Sequence, residues 1–129
     1  MEILTNKQFN EQMRERSMKM AVAIHHLLST KKVRSTSTSL INQLIRSSSS
    51  VAANYRSAGR GRSDAEFYSK ICIVVEECDE TVLWLDLIIS AKLITTREIE
   101  DLNKEALELL YILASVRKKL KHRINNNLK

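Results

Sequence analysis

Two short stretches of this 129-residue chain concentrate positive charge. Arg56, Arg60 and Arg62 fall in the first, and Arg117, Lys118, Lys119, Lys121 and Arg123 fall in the second, which contains no acid from Arg117 onward. Guanidinium and ammonium groups at this density neutralise phosphates and release their counterions, so the chemistry they point to is backbone binding of RNA or DNA. The whole chain agrees in sign, with 21 Lys and Arg against 15 Asp and Glu for a formal charge of +6, which favours an acidic partner. Two ordinary roles compete with this reading. Bases near a helix C-terminus complement its macrodipole, and a run of like charge can be a plain solvated end. Tyr55 is the single aromatic near the first stretch, so phosphate or shape recognition is favoured over sequence readout.

Other chemistries find no constellation. His25 and His26 are adjacent and His122 lies among bases, so no His is paired with a ligand at helical spacing, and no metal or cofactor is expected. Gly59 and Gly61 are the chain's only glycines, too few for a phosphate-cradling loop or a dinucleotide fingerprint. Ser29-Thr30-Lys31-Lys32 has the Ser-x-x-Lys spacing but none of its companion motifs. Cys72 and Cys78 are six apart on one helix and cannot bridge there, so reduced thiols are expected, Cys72 as a buried thiol and Cys78 in the core. Glu76, Glu77, Asp79 and Glu80 spread over too wide an arc for one inward cluster and read as a solvated or interfacial acidic face. The chain is not expected to be an enzyme.

The elements that position these residues are helices. There is no proline, aromatics make up 5% of the residues, and apolar residues make up 43%, which excludes turn-rich β folds and suits one domain over residues 1–129. Thr5 with Gln8 reads as a capping box and Leu4 with Phe9 as its staple, opening a first helix to about Ser29 with Phe9, Met13, Met20, Ile24, Leu27 and Leu28 inward. Lys31 to Ser39 reads as a connection. Leu40, Leu44, Val51 and Tyr55 mark a second helix that stops near Gly59. Ser63 with Glu66 opens a third to about Lys92, with Phe67, Ile71, Val74, Val75, Cys78, Val82, Leu85 and Ile89 inward. Thr95 with Glu98, stapled by Ile94 and Ile99, opens the fourth, whose stripe runs from Ile99 to Leu120 at three and four spacing. Short connections make neighbours antiparallel, so the expected fold is all-α, an up-down-up-down four-helix bundle. No secretory signal and no span of about 20 apolar residues is visible, so the expected location is cytoplasmic, off the membrane.

Two features exceed what a lone bundle needs. On the third helix Ile73, Glu76, Glu80, Leu83 and Leu87 form a second stripe opposite the core, flanked by Trp84, and large apolar residues exposed in this way mark a partner surface. In such an interface the two carboxylates need basic partners. On the second helix Arg46-Ser47-Ser48-Ser49-Ser50 precedes Val51-Ala52-Ala53. Serine costs about 0.5 kcal/mol against alanine in a helix, so tertiary contacts must hold this segment, with hydroxyls bonding back to the preceding turn and small side chains allowing close approach.

Ser50-Val51-Ala52-Ala53-Asn54-Tyr55-Arg56, Arg60-Gly61-Arg62-Ser63, Glu66-Phe67 and Ile73-Val74-Val75-Glu76-Glu77-Cys78-Asp79-Glu80-Thr81 with Trp84-Leu85 resemble the bacterial four helix bundle protein family, related to proteins encoded in ribosomal RNA intervening sequences. The likeness runs through the last three quarters of the chain and is weaker in the first helix. Many members carry Glu-Gly after the residue matching Asn54, where this chain has Tyr55-Arg56-Ser57-Ala58, so no role of that glutamate carries over. The resemblance implies an antiparallel bundle assembled as a ring, commonly a pentamer, with a nucleic-acid role and no enzymatic activity.

The up-down order brings Arg56, Arg60 and Arg62 to the same end as Arg117 to Arg123, with Glu98, Glu100, Asp101, Glu105 and Glu108 toward the other. Lys7 and Lys19, beside acids on the first helix, are expected to stand apart from this basic end. The leading reading is a noncatalytic homo-oligomer that binds RNA or DNA, accessory to a nucleic-acid-processing system. The rival is a scaffold that recruits a protein and binds no nucleic acid.

Overall fold

The computed structural model describes residues 6–30 and 37–128. They form α1 (Asn6–Thr30), α2 (Thr38–Ala58), α3 (Asp64–Ser90) and α4 (Arg97–Asn127). The helices pack in the order α1, α2, α3, α4 and back to α1, and the backbones of diagonal pairs do not approach. Partners run in reverse along each pair. Asp64 meets Arg123, Cys78 meets Ala106 and Asp86 meets Asn103, so α3 and α4 are antiparallel, and Asn10 with Tyr55 and Ser47 with Thr81 show the same for the other neighbours. The architecture is the expected up-down bundle.

One core draws on all four helices, with Met13, Met20 and Ile24 from α1, Leu44, Val51 and Tyr55 from α2, Ile71, Val74 and Leu85 from α3, and Ile99, Leu109 and Leu113 from α4. Each such side chain contributes about 2 kcal/mol by leaving water. On α3 the buried residue near the C-terminus is Ile88 rather than Ile89, which is half-buried, and Cys72 is half-buried rather than buried. Cys78 is fully buried and the two thiols are unbridged.

The serine run is held as its composition requires. Ser47 and Ser48 are wholly buried, and their hydroxyls donate to Leu44 O and Ile45 O in the preceding turn. Thr81 Oγ1 of α3 lies 3.0 Å from Ser47 Oγ, a buried polar link between two helices that small side chains allow to come close.

Helix ends explain the loops. Ser63 Oγ accepts from Glu66 N at 3.1 Å, while Glu66 Oε2 accepts from Arg62 N at 2.7 Å, so the capping box closes one residue upstream of its usual reciprocal partner. Gly59 ends α2 with an ordinary right-handed φ. Gly61 is the constrained glycine, since a Cβ there would lie 3.1 Å from Ala58 O. At the end of α3, Lys92 adopts φ 56°, with Lys92 N bonded to Ile89 O and Leu93 N to Ile88 O, a Schellman motif with lysine where glycine is usual. The fourth helix starts one residue later than Thr95 predicts. Thr96 is its N-cap, without a side-chain capping bond, while Ile94 and Ile99 both enter the core. The Thr5 capping box, its Leu4 staple and residues 31–36 of the first connection lie outside the described residues.

Candidate nucleic-acid interface

Antiparallel packing places the C-termini of α2 and α4 and the N-termini of α1 and α3 at one end of the bundle, and this end divides into two clefts. One, of about 510 Å³, is lined by Arg62, Lys119 and Arg123 together with Asp64 and the start of α1. The other, of about 500 Å³, is lined by Arg56 and Arg60 together with Lys7, Arg14 and Glu11. Successive helical residues turn by 100°, so the run on α4 wraps around the helix: Lys119 and Arg123 share a cleft, whereas Lys118 and Lys121 are exposed and line neither. Arg117 is half-buried.

Only one of the eight expected bases is in an ion pair among the described residues. Arg123 binds Asp64 at 3.1 Å, which places the pair across the N-terminus of α3, where the acid also suits the helix dipole. Arg56, Arg60, Arg62, Lys118, Lys119 and Lys121 are exposed. Their charge therefore projects into solvent instead of being neutralised within the fold.

Two expectations change at this end. Lys7 does not stand apart: it and Arg14 line the cleft of Arg56 and Arg60, because α1 packs against the end of α2. Tyr55, the candidate for stacking on a base, is 1% exposed and donates from its hydroxyl to Asn10 Oδ1 at 2.8 Å, fastening α2 to α1. Its ring is unavailable to a base. Burial pushes its phenol well above the usual tyrosine value.

The stripe on α3 has mixed placement. Ile73, Glu76, Leu83 and Leu87 are exposed, Leu83 by 50%. Glu80 is already partnered inside the chain, since Arg46 Nη2 lies 3.1 Å from it while Nη1 lies 3.1 Å from Glu77. Trp84 is half-buried, and its Nε1 has no acceptor. Sequence reasoning missed Arg46 as this partner, and it missed Arg16 of α1, whose Nη2 lies 2.6 Å from Glu105 on α4. Among the described residues no three His, Cys, Asp or Glu side chains converge as metal ligands, and no helix is long and apolar enough to cross a membrane.

The sequence profile of the 23S rRNA-intervening sequence proteins matches residues 10–115. The chain belongs to that family. Arg56, Arg60 and Arg62 fall inside the matched stretch, whereas Arg117 to Arg123 lie beyond it. A crystal structure from Bacteroides thetaiotaomicron, described as a protein of unknown function from the S23 ribosomal protein family, is similar over 82% of this chain and 98% of that one, at 31% identity and a TM-score of 0.71. No curated protein matches significantly. The family agrees with the resemblance read from the sequence, and the neighbour agrees with the fold.

Proposed function

We propose that this family member is a noncatalytic cytoplasmic homo-oligomer, a ring of five as the resemblance implies, whose basic end binds RNA or DNA through phosphates. The observation that carries this reading is the unneutralised charge at one end of the bundle, where exposed bases from α1, α2, α4 and the α2–α3 turn flank two clefts and, among the described residues, only Arg123 is in an ion pair. A helix dipole accounts for Arg56 in the last turn of α2, but not for Arg117 to Arg123, which precede the last turn of α4, nor for Lys7 and Arg14 on α1 or Arg60 and Arg62 in the turn. The family name associates the chain with intervening sequences of 23S rRNA, a setting that suits an RNA ligand. Assembly into a ring would repeat the basic end and raise avidity without new contacts.

The test is binding of mixed RNA and DNA oligomers, followed by fluorescence anisotropy at low salt. Replacing Arg60, Arg62, Lys119 and Lys121 with Glu is expected to abolish binding while helicity persists, because all four are exposed. Reversal of Arg97 and Lys104, exposed residues nearer the other end of α4, is expected to change affinity less than threefold. Equal loss in both variants would place the site elsewhere.

A second reading is favoured by the exposed Ile73, Leu83 and Leu87, which suit a scaffold that recruits a protein partner. Absence of any nucleic-acid binding by the unmodified chain would favour it.

A further inference from the structure

The fold leaves two apolar faces uncovered, and they differ in shape. On the outer side of the α1–α2 seam lies a groove of about 790 Å³ walled by Met18, Val22 and His25 and floored by Ser49, Ala52 and Ala53. It is a groove because α2 offers small side chains there apart from Arg56. The second half of the Ser-Ala segment thus has an outward consequence: Ser47 and Ser48 face the packed interior, and the next small residues leave a channel open to solvent. Met18 and Val22 beside it are 49% and 57% exposed. The other face is a ridge, formed on α3 by Ile73, Leu83 and Leu87.

We propose that the α1–α2 groove receives the α3 ridge of a second copy of this chain, head to tail. The inference rests on the reading that the chain self-associates, and it names the surfaces that do so. Length fits, since Ile73 to Leu87 covers about 21 Å along its helix and Arg14 to Ser29 covers about 22 Å. Charge fits as well. From Ile71 to Ser90, α3 has five acids and no base. The groove extends past Met18 into a hollow lined by Arg14, Lys19 and Arg56, with Glu15 as the one acid. Glu76 and Asp79 are exposed on α3 without an ion pair among the described residues, whereas Glu77 and Glu80 are taken by Arg46. Ridge against ridge would instead oppose two acidic faces, and groove against groove would leave the channel empty. Since α1 and α3 are diagonal in the bundle, one copy can present ridge and groove at once. A head-to-tail contact of this kind propagates from copy to copy rather than stopping at a pair, and closes into a ring where the rotation between copies closes.

The test is complementation between two broken surfaces. One variant carries Leu83→Lys and Leu87→Lys on the ridge; the other carries Val22→Lys and Ala53→Arg in the groove, all at exposed positions. Each alone is expected to be a 14.8 kDa monomer by light scattering with helicity retained by circular dichroism. Mixed in equal amounts, they are expected to form a heterodimer that grows no further, because one intact ridge and one intact groove make a single contact. Should a double variant lose helicity, Leu83→Lys and Ala53→Arg are mixed instead. A mixture that stays monomeric while the unmodified chain assembles overturns the pairing, and so does a groove variant that assembles like the unmodified chain. An unmodified chain that is itself monomeric at micromolar concentration overturns the assembly reading together with this inference.

Discussion

Lys92 adopts φ 56° at the end of α3, a conformation that crowds the Cβ of any L-residue other than glycine. The expected outcome of Lys92→Gly is therefore a stability gain of about 1 kcal/mol in urea unfolding, net of the greater freedom glycine has when unfolded. Two buried acids make a second prediction at this scale. Burial, with the charges of Asp79 and Glu105, pushes the Cys78 thiol up to about 12 from 9.0, and burial raises the Tyr55 phenol from 10.0. In each case the unfolded chain loses its proton first, so stability is fully present below the unfolded value and declines as pH rises toward the folded one. Unfolding free energies from urea titrations are expected to hold steady up to about pH 9 and then fall, by about 1.4 kcal/mol per pH unit for each group once it titrates. Cys78→Ala lowers stability overall and removes the decline between pH 9 and 10; persistence of that decline would assign it to another group.

At the scale of the element, caps separate what local sequence dictates from what packing dictates. The Ser63 and Glu66 pair is legible in the sequence because every atom of the motif lies within five residues, and the structure contains its capping bond. Thr95 with Glu98 looks equivalent, yet the helix begins after Thr96 with no side-chain capping bond, and what holds this entry is the burial of Ile94 and Ile99 in the core. Ser63→Ala is accordingly expected to cost about 1 kcal/mol in thermal or urea unfolding, and Thr96→Val far less, because Thr96 Oγ1 is buried without a partner. Equal losses would show that Thr96 caps α4 after all. The same division holds for the stripes. Periodicity found the inward faces of all four helices, whereas the choice of Ile88 over Ile89 depends on where α2 lies against α3. Tyr55 was assigned to the α2 stripe correctly, but its contact with Asn10 of α1 spans 45 residues and left no trace in the local sequence.

For the whole molecule, polarity follows from topology. Once the bundle is up-down, the two basic stretches, far apart in sequence, must meet at one end, so most of the candidate interface could be read from helix order alone. Lys7 and Arg14 could not, because their membership depends on how closely α1 lies against the end of α2. Nor could the split into two clefts, one between α4 and the starts of α1 and α3, the other between α1 and the end of α2. The sign of the charge, its exposure and its position motivate the central proposal, that this end holds nucleic acid through phosphates. The most direct measurement is the affinity of the unmodified protein for an RNA oligomer as salt is raised from about 50 to 200 mM. Counterion release predicts that the logarithm of affinity falls linearly with the logarithm of salt, steeply enough to count several phosphate contacts, and that the charge-reversed variant shows neither the binding nor the slope. No binding at the lowest salt, or binding that salt leaves unchanged, would contradict the account.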